Sequence, residues 1–558
     1  MVNALQYFLV TILSYYTKGE RPLADTAYGP LQGVHMTTRN GRLFSAFLGV
    51  PYAAPPVGPL RFQKPQPAIR WSGVRNASLE GNYCIQANYF FPNIDSVIVG
   101  DEDCLFLNVY TPTLYPSKLL PVMFYIHGGG FRVNSDSVRL HGPEFLLDKD
   151  IVLVVINYRL AAFGFLSTEN SVVPGNMGLK DQTFAMKWVQ ENIINFGGDP
   201  DKVTVFGNSA GASCVHLHMM SPLSKGLFKQ AISQSGSALS AFAIIGPGSS
   251  LALTKRLAAN VKCTTQNTQA MVDCLRTVPQ LTIQTEHEKI LNSRYDDNVL
   301  FRPVKESPSS ADAFMTTYPF EQRTNVPWMT GINRDEGAFK LALILLRNRL
   351  AFVDMEFDKF GPQTMNFDDT SSMPVNVSQQ IRNYYFGTKS INSETTDGLI
   401  KMYTDSWFLS GTEQSIQQHD STLFYYMFDH RGEHSFTSYF GQTANLGVSH
   451  CDELIYLFTM INLFPPNLNE TDRKVSELMV DLWTNFAIYG NPTPVPISDN
   501  PQGPGQGTFV WESTNYTNPK YLHIQTNKLT MEEKLYSDRV NFWKSLKIRD
   551  KLHYKNNS

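Results

Sequence analysis

The stretch VTVFGNSAGASCVH, residues 203–216, places one serine between two glycines where two sequence patterns meet. Residues 202–206, KVTVF, are mostly apolar and rich in β-branched side chains, which is typical of a buried strand. Residues 209–220 are small and then compatible with a helix that ends before a proline. A sharp strand-to-helix turn needs glycines at its flanks. The stretch therefore predicts that Ser209 projects above the edge of a sheet.

Segments on either side of this turn alternate between strand-like and helix-like patterns. Residues 121–126 and 151–158 are short, nearly continuous apolar runs, and residues 229–235 indicate a further strand. Residues 181–196 carry apolar side chains along one helical stripe and end at the turn sequence GGDP. This alternation predicts an α/β fold with a large, mostly parallel central sheet flanked by helices.

A serine at the N-terminus of a helix is often only a capping residue, and this alternative applies to Ser209. A reactive serine instead needs a general base, an orienting acid and donors for an oxyanion. Three glycines in YIHGGGF, residues 125–131, follow a predicted strand upstream of the turn. The predicted donors are the backbone N–H groups of Gly129, Gly130 and Ala210.

The base is expected late in the chain, after the acid. His450 stands in a glycine-containing loop just before an apolar segment. The other downstream histidines have less distinctive settings: His287, His419, His430, His434, His523 and His553. The acid follows a short predicted strand in WMTGINRDEGAF, residues 328–339, where Asp335 and Glu336 are both candidates. The residues alone do not choose between these two.

His216 and His218 form an H-x-H pair on the helix that follows Ser209. No further ligand cluster accompanies them, so they are interpreted as satisfied or surface histidines and no metal site is predicted.

Composition limits the class of protein. Of the 558 residues, 42% are apolar and only 17% are charged, which favours a compact globule. The net charge of −3 has no large block of one sign, so no nucleic-acid partner is expected. Residues 1–17 have the length of a signal peptide but lack a basic start. No later apolar run predicts a transmembrane helix, and residues 551–558 form a polar tail.

Cysteines and glycosylation sequons favour a secreted, extracellular protein. Cys84 and Cys104, and likewise Cys263 and Cys274, are close pairs that are disulfide candidates in an oxidising compartment. The sequons begin at Asn76, Asn376, Asn469, Asn515 and Asn556.

The chain resembles the type-B carboxylesterases, the carboxylesterase/cholinesterase family, and most of all the insect carboxylesterases and relatives of juvenile-hormone esterases. The resemblance extends from about residue 29 to about residue 540. It rests on FLGVPYAAPPVGPLRF, EDCLFLNVYTP, HGGGF, NYRLAAFGFL, GNMGLKDQ, GNSAGA, SQSG and GVSHCDEL. It implies an α/β-hydrolase fold in one domain, residues 18–550, that needs no cofactor and acts on a small-molecule ester.

The resemblance also assigns roles to residues. It makes Ser209 the nucleophile, His450 the base and Glu336 the acid, with the oxyanion hole at Gly129, Gly130 and Ala210. Ser235 matches a serine that supports the triad by hydrogen bonding. The same resemblance pairs Cys84 with Cys104 and Cys263 with Cys274, which leaves Cys214 and Cys451 as buried thiols.

Departures from the family pattern narrow the expected substrate. Cholinesterases carry a choline-binding tryptophan between the first two cysteines, and residues 84–104 contain none, which argues against acetylcholine. Phe242 matches an acyl-pocket position where many relatives have tryptophan. Residue 208 is usually acidic in cholinesterases and glutamine in juvenile-hormone esterases, whereas this chain has Asn208.

The expected function is hydrolysis of apolar or xenobiotic carboxylic esters through an acyl-enzyme. A specialised insect esterase for juvenile hormone or for odorant or pheromone esters is the first alternative. A non-catalytic, neuroligin-like adhesion protein is the second, and the complete triad argues against it. The oligomeric state does not follow from the sequence.

Overall fold

The computed structural model describes residues 20–92, 94, 96–293, 299–497 and 508–553. The possible signal peptide at residues 1–17 lies outside these ranges. So do Asn556 and residues 554–558 of the polar tail.

An eleven-stranded sheet runs through the described chain. Its strands in chain order are β1 (Val34–Thr37), β2 (Leu43–Pro51), β3 (Phe106–Thr111), β4 (Leu120–Ile126), β5 (Val152–Ile156), β6 (Gly198–Asn208), β7 (Gln230–Gln234), β8 (Trp328–Asn333), β9 (Leu423–Asp429), β10 (Lys520–Gln525) and β11 (Lys528–Glu533). Their spatial order is β1-β2-β3-β5-β4-β6-β7-β8-β9-β10-β11. The pairings from β5 through β10 are parallel, and those at the two edges are antiparallel.

Two small sheets in the described ranges lie outside the large one. Their strands are Leu23–Thr26, Gly29–Gln32 and Arg75–Asn76 in one, and Gln86–Ala87 and Ile98–Val99 in the other.

Fifteen α-helices occur in the described ranges. They are α1 (Ala161–Phe165), α2 (Met177–Asn192), α3 (Ala210–Met220), α4 (Ser249–Asn260), α5 (Thr268–Thr277), α6 (Gln280–Ser293), α7 (Ala338–Leu346), α8 (Leu350–Met355), α9 (Phe357–Thr364), α10 (Pro374–Phe386), α11 (Thr396–Thr404), α12 (Ser410–Ile416), α13 (Phe436–Tyr439), α14 (Glu470–Tyr489) and α15 (Ser537–Ser545).

Helices cover both faces of the sheet, as the alternating pattern predicts. Val205 on β6 belongs to one apolar core together with Trp188 of α2. Its neighbour Phe206 belongs to a second core together with Trp483 of α14. Successive side chains of a strand point to opposite faces, so these two cores lie on the two sides of the sheet.

The register of the central strands brings several chain segments to one edge. Gly207 of β6 pairs with Ile126 of β4, and Asn208 pairs with Gln234 of β7. Gln234 in turn pairs with Gly331 of β8. Because these strands are parallel, the loops at their carboxyl ends meet at the same edge, where sites in open α/β sheets lie.

The two disulfides implied by the family resemblance are present. Cys84 bonds Cys104 with 4.9 Å between the Cα atoms, and Cys263 bonds Cys274 with 5.7 Å. Of the two free cysteines, Cys214 is buried as expected, but Cys451 is only half-buried. The expectation of a second buried thiol holds only in part: Cys451 is partly exposed where it borders the open pocket, while its thiol is buried against Asn208. Among the described helices, none has both the length and the apolar character needed to cross a lipid bilayer.

Candidate active site

Ser209 occupies the predicted sharp turn between β6 and α3. Its backbone has φ 59° and ψ −123°, a conformation that non-glycine residues rarely adopt. The Ser209 N–H donates to the Gln234 carbonyl at 2.8 Å and ties the turn to β7. A Cβ atom on Gly207 would lie 2.5 Å from the carbonyl oxygen of Ile126, and one on Gly211 would collide with the same oxygen. Strand and helix approach this closely because both residues lack side chains.

The glycine loop that follows β4 lies against this turn. A Cβ atom on Gly128 would be 3.0 Å from Cβ of Ser209. Gly129 and Gly130 have φ values of 104° and 62°, which favour glycine. The Gly129 carbonyl accepts hydrogen bonds from the backbone of the residues that follow, at 3.1 Å. The loop therefore brings its backbone next to Ser209, close to the start of α3 at Ala210.

Glu336 and His450 form a buried hydrogen-bonded pair. Nδ1 of His450 lies 2.6 Å from Oε2 of Glu336. The other carboxylate oxygen of Glu336 accepts the backbone N–H of Asn333 at 2.7 Å, and the Glu336 side chain is fully buried. Asp335 makes different contacts, because its carboxylate binds Arg334 and the backbone N–H of Val448. Of the two candidate acids, Asp335 and Glu336, it is Glu336 that contacts the imidazole of His450.

Two aromatic rings hold the imidazole of His450. The Phe408 ring stacks on it at 4.3 Å between centroids, and the Phe339 ring meets it edge-on at 5.6 Å. Phe408 lies in a π-helical turn, Asp405–Leu409, inserted between α11 and α12. Such turns are frequent at functional sites because they displace side chains from the regular helical register.

Ser209 and His450 line the same pocket, which has a volume of about 1080 Å³ and opens to solvent. Its wall is mostly aromatic and aliphatic, and it includes Tyr89, Phe90, Phe242, Phe339, Trp407, Phe408, Phe436, Phe440, Leu343 and Leu454. Phe242, the predicted acyl-pocket residue, is buried and meets Phe408 edge-on at 5.7 Å. Apart from the imidazole, the ionisable groups on the described wall are Arg132, Cys451 and the phenol of Tyr89, and no carboxylate is among them.

Comparison with known proteins identifies the family. A model of the carboxylesterase family matches residues 20–543. The chain belongs to the carboxylesterase family. It is 37% identical to juvenile hormone esterase of Tribolium castaneum, over 94% of this chain and 93% of that protein. It is also 37% identical to esterase FE4 of Myzus persicae, over 86% of this chain and 87% of that protein.

A solved structure supports the same identification. The carboxylesterase superimposes on juvenile hormone esterase from Manduca sexta, solved with OTFP covalently attached, with a TM-score of 0.83. The two sequences are 27% identical, and the match covers 94% of this chain and 99% of that one. The predicted family and α/β-hydrolase fold are confirmed, and the chain is a carboxylic ester hydrolase.

A second carboxylate, missed by the sequence analysis, lies close to the Glu336–His450 pair of this carboxylesterase. Glu453 is fully buried and accepts hydrogen bonds from the side-chain amides of Asn208 (2.7 Å), Gln234 (3.2 Å) and Asn333 (2.6 Å). Burial, and then the charge of Glu336, raise the pKa of Glu453 to about 7, while the bond from Asn333 opposes the shift. In the sequence, the only sign of this role is that Glu453 stands three residues after His450. In the structure it lies on a short 3-10 helix, Asp452–Tyr456.

Asn208 connects the serine turn to the histidine loop of the carboxylesterase. Its Nδ2 donates to Glu453, and its Oδ1 accepts from the Cys451 thiol at 3.3 Å. Burial raises the pKa of that thiol, so Cys451 stays protonated as a donor. The residue that breaks the family pattern in the sequence therefore joins two loops that carry the site.

Ser235 lies at the same sheet edge, directly after β7, but does not make its predicted bond here. Its hydroxyl is buried and has no hydrogen-bond partner in the described part of the chain. Its backbone N–H donates to the Gly331 carbonyl at 2.9 Å, and its φ of 55° turns the chain sharply. A supporting role for this serine stays a prediction.

The other candidate histidines have different settings. His218 is buried with Ser224 and Gln182 on its two ring nitrogens, as expected of a satisfied histidine. His216 stacks on Trp328 at 4.7 Å, and burial lowers the pKa of both histidines to about 3. Within the described ranges no three metal-binding side chains cluster. Five other candidate histidines do not line the pocket of Ser209: His287, His419, His430, His434 and His523.

Proposed function

We propose that this carboxylesterase cleaves its substrates through an acyl-enzyme formed on Ser209. The observation that carries the proposal is the 2.6 Å bond between Glu336 and Nδ1 of His450, in the pocket that Ser209 also lines. With Nδ1 held by the carboxylate, Nε2 is the nitrogen that takes the serine proton during attack on the ester carbonyl. The same nitrogen then gives this proton to the leaving alcohol, and water repeats the cycle on the acyl-enzyme.

Backbone donors stabilise the oxyanion of the tetrahedral intermediate in this proposal. The donors are the N–H groups of Gly129, Gly130 and Ala210. Ala210 starts α3, so its N–H also carries the positive end of a helix dipole. One such donor is worth about 3 kcal/mol of transition-state stabilisation.

The preferred substrates in this proposal are apolar esters, including xenobiotic ones. An aromatic and aliphatic wall removes apolar surface from water but offers few polar partners. A quaternary ammonium ester is disfavoured, because the described wall residues include no carboxylate that would attract its charge. The Cys84–Cys104 loop also lacks the tryptophan on which a choline group would stack.

Juvenile hormone or a volatile acetate is the second candidate substrate class. Similarity to two juvenile hormone esterases favours it. Asn208, which differs from the glutamine expected of that class, argues against the hormone. Turnover of juvenile hormone, odorant acetates and naphthyl esters by the purified enzyme separates these possibilities, since kcat/KM for the natural class should exceed the others by orders of magnitude. A neuroligin-like adhesion role is disfavoured by the assembled Glu336–His450 pair.

The test of the mechanism is a matched pair of serine variants. Ser209→Ala should abolish hydrolysis of a p-nitrophenyl ester without unfolding the protein. Ser213→Ala is the control, because this serine is also buried on α3 and its hydroxyl has no partner in the described structure. One equivalent of an organophosphate should label the wild type and none the Ser209 variant. Turnover by Ser209→Ala would contradict the proposal.

We also infer that the enzyme is a secreted glycoprotein with a single hydrolase domain over residues 18–550. Two disulfides are typical of an oxidising compartment. The described sequon asparagines are all exposed: Asn76, Asn376, Asn469 and Asn515. Glycopeptide mapping and N-terminal sequencing of protein secreted by insect cells would test both the modification and the cleavage of residues 1–17.

A further inference from the structure

Phe408 lies face to face with the imidazole of His450. The two ring centroids are 4.3 Å apart, and the ring planes differ by only 24°. Glu336 bonds the same imidazole at its edge, through Nδ1, so the carboxylate and the phenyl face approach it from different directions. Proton transfer from a serine turns the imidazole into a cation. A cation within about 6 Å of the centre of an aromatic face is attracted by the negative charge of the π system.

Neighbouring rings fix the orientation of the Phe408 ring. Its side chain is almost fully buried. Phe242 meets it edge-on at 5.7 Å between centroids, and Trp407 meets it edge-on at 6.0 Å. The phenyl ring therefore cannot turn away from His450 without disturbing two other packed side chains.

The backbone of Phe408 is anchored as well. It belongs to the π-helical turn Asp405–Leu409, which displaces its side chain from the regular helical register. The carboxylate at the start of this turn, Asp405, accepts from Nε of Arg539 at 2.7 Å. The indole of Trp407 donates to a backbone carbonyl at 2.9 Å. Because both the turn and the ring are supported by other parts of the chain, the phenyl face is preorganised against the imidazole.

We propose that Phe408 is a positioning residue that holds the imidazole of His450 in place and stabilises its charged form through the face of the phenyl ring. This inference rests on the proposed function, because the serine mechanism is what charges His450. A neutral imidazole also stacks on a phenyl ring, but protonation adds the attraction between a cation and the π face. The stabilisation therefore grows toward the transition state, where it accelerates the chemical step.

The elements packed against the imidazole carry ionisable groups of their own. Among them are Glu336 from the loop after β8, Cys451 and Glu453 from the loop of His450 itself, Lys340 from α7 and Asp405 from the π-helical turn. A change confined to the ring at position 408 leaves all of these groups in the chain. A shift in the pH profile of such a variant therefore reports the phenyl face and not a lost charge.

Fluorinated analogues of phenylalanine at position 408 test the π face at nearly constant shape. Fluorine withdraws electron density, so para-fluorophenylalanine weakens the attraction to a cation and pentafluorophenylalanine reverses it. On the alkaline plateau, kcat should fall about threefold for the first enzyme and at least about tenfold for the second, with KM within about twofold of wild type. The acidic midpoint of the kcat/KM profile reports the base of the free enzyme. It should fall in the same order, by up to about one pH unit.

Two ordinary substitutions give an independent comparison. Phe408→Leu, which removes the π face, should lower the acidic midpoint, and Phe408→Tyr, which keeps that face, should leave it close to that of wild type. Phe440→Leu is the matched control, because this ring also lines the pocket but packs edge-on against Phe339 at 5.1 Å. Its acidic midpoint should not change. Thermal unfolding of each variant verifies that it is folded.

The proposal is overturned if fluorination changes neither kcat nor the acidic midpoint, or if Phe440→Leu shifts the midpoint as much as Phe408→Leu does. Failure of the proposed function has a different signature. In that case Ser209→Ala would keep its turnover. Failure of this inference alone would leave Ser209 essential and the fluorinated enzymes as active as wild type.

Discussion

His450 and Glu336 are 114 positions apart in sequence, yet Nδ1 of the imidazole lies 2.6 Å from the buried carboxylate. Glu336 follows β8 and His450 lies in the long loop after β9, and these two strands are parallel neighbours. The sheet order therefore brings the acid and the imidazole together. The geometry also distinguishes Glu336 from the adjacent Asp335, whose carboxylate binds Val448 and Arg334 instead.

Replacing Glu336 should slow the chemical step strongly and leave substrate binding nearly unchanged. Glu336→Gln keeps the shape of the side chain but removes the charge that orients and stabilises the imidazolium. We expect kcat to fall by about 10³- to 10⁴-fold with little change in KM, as for the equivalent change in a serine protease triad. Steady-state kinetics with p-nitrophenyl butyrate measures both constants. Asp335→Asn is the control, and a larger loss of kcat in this control would contradict the assignment of the acid.

Truncation of Phe242 should enlarge the space for the acyl group. Phe242→Ala removes a buried ring that packs edge-on against Phe408. The ratio of kcat/KM for a branched 2-methylbutanoate ester to that for an acetate ester should rise about tenfold, since a methylene or two is worth that much discrimination. Phe90→Ala is the control, because Phe90 also lines the pocket but belongs to the loop closed by the Cys84–Cys104 disulfide. If both variants shift the ratio equally, Phe242 does not set acyl specificity.

The two disulfides should differ in their effect on activity more than in their effect on stability. Their sequence separations of 20 and 11 residues correspond to about 3 kcal/mol of stabilisation each from the unfolded chain. Replacing Cys84 and Cys104 with serine should also lower kcat/KM, because their loop carries Tyr89 and Phe90 into the pocket. The matching Cys263/Cys274 double variant should lose similar stability in urea but keep kcat/KM within about twofold. Equal activity losses would contradict this division of roles.

Local sequence was sufficient for the central strands and the serine turn. A nearly continuous apolar run such as residues 151–158 fits a strand buried on both faces, and the glycines that flank Ser209 fit a close approach of strand and helix. The same reasoning could not select Glu336 over Asp335. That choice depends on which carboxylate the sheet order brings to His450, and this is a property of tertiary structure.

Contacts that connect distant loops also could not be predicted from the local sequence. Glu453 is recognisable in the sequence only as an acid near His450, and its role as acceptor for three amides follows from the meeting of β6, β7 and β8 at one edge. Phe408 gave no local signal either, because its position depends on the π-helical turn.

The contact between Asn208 and Glu453 leads to a pH-dependent prediction. Glu453 has a pKa of about 7 in the folded protein, against about 4.3 when unfolded. A carboxyl with a raised native pKa favours the folded state below the unfolded pKa, and this contribution is lost as pH rises through about 7. Asn208→Asp replaces the amide donor with a second carboxylate 2.7 Å from the first. The pair can share a proton at low pH but must carry two charges at high pH.

The loss of stability in Asn208→Asp should therefore grow with pH. Relative to wild type, we expect a small decrease in Tm at pH 5 and a decrease equivalent to at least about 1–3 kcal/mol at pH 8, since that is the cost of an unsatisfied buried polar group and a charge costs more. Asn208→Gln is the matched control, because it keeps an amide donor and should lower Tm by an amount that does not change with pH. Thermal unfolding of the three proteins between pH 5 and 8 measures the effect. If the Tm difference between Asn208→Asp and wild type does not change with pH, the ionisation of Glu453 does not depend on its contact with residue 208.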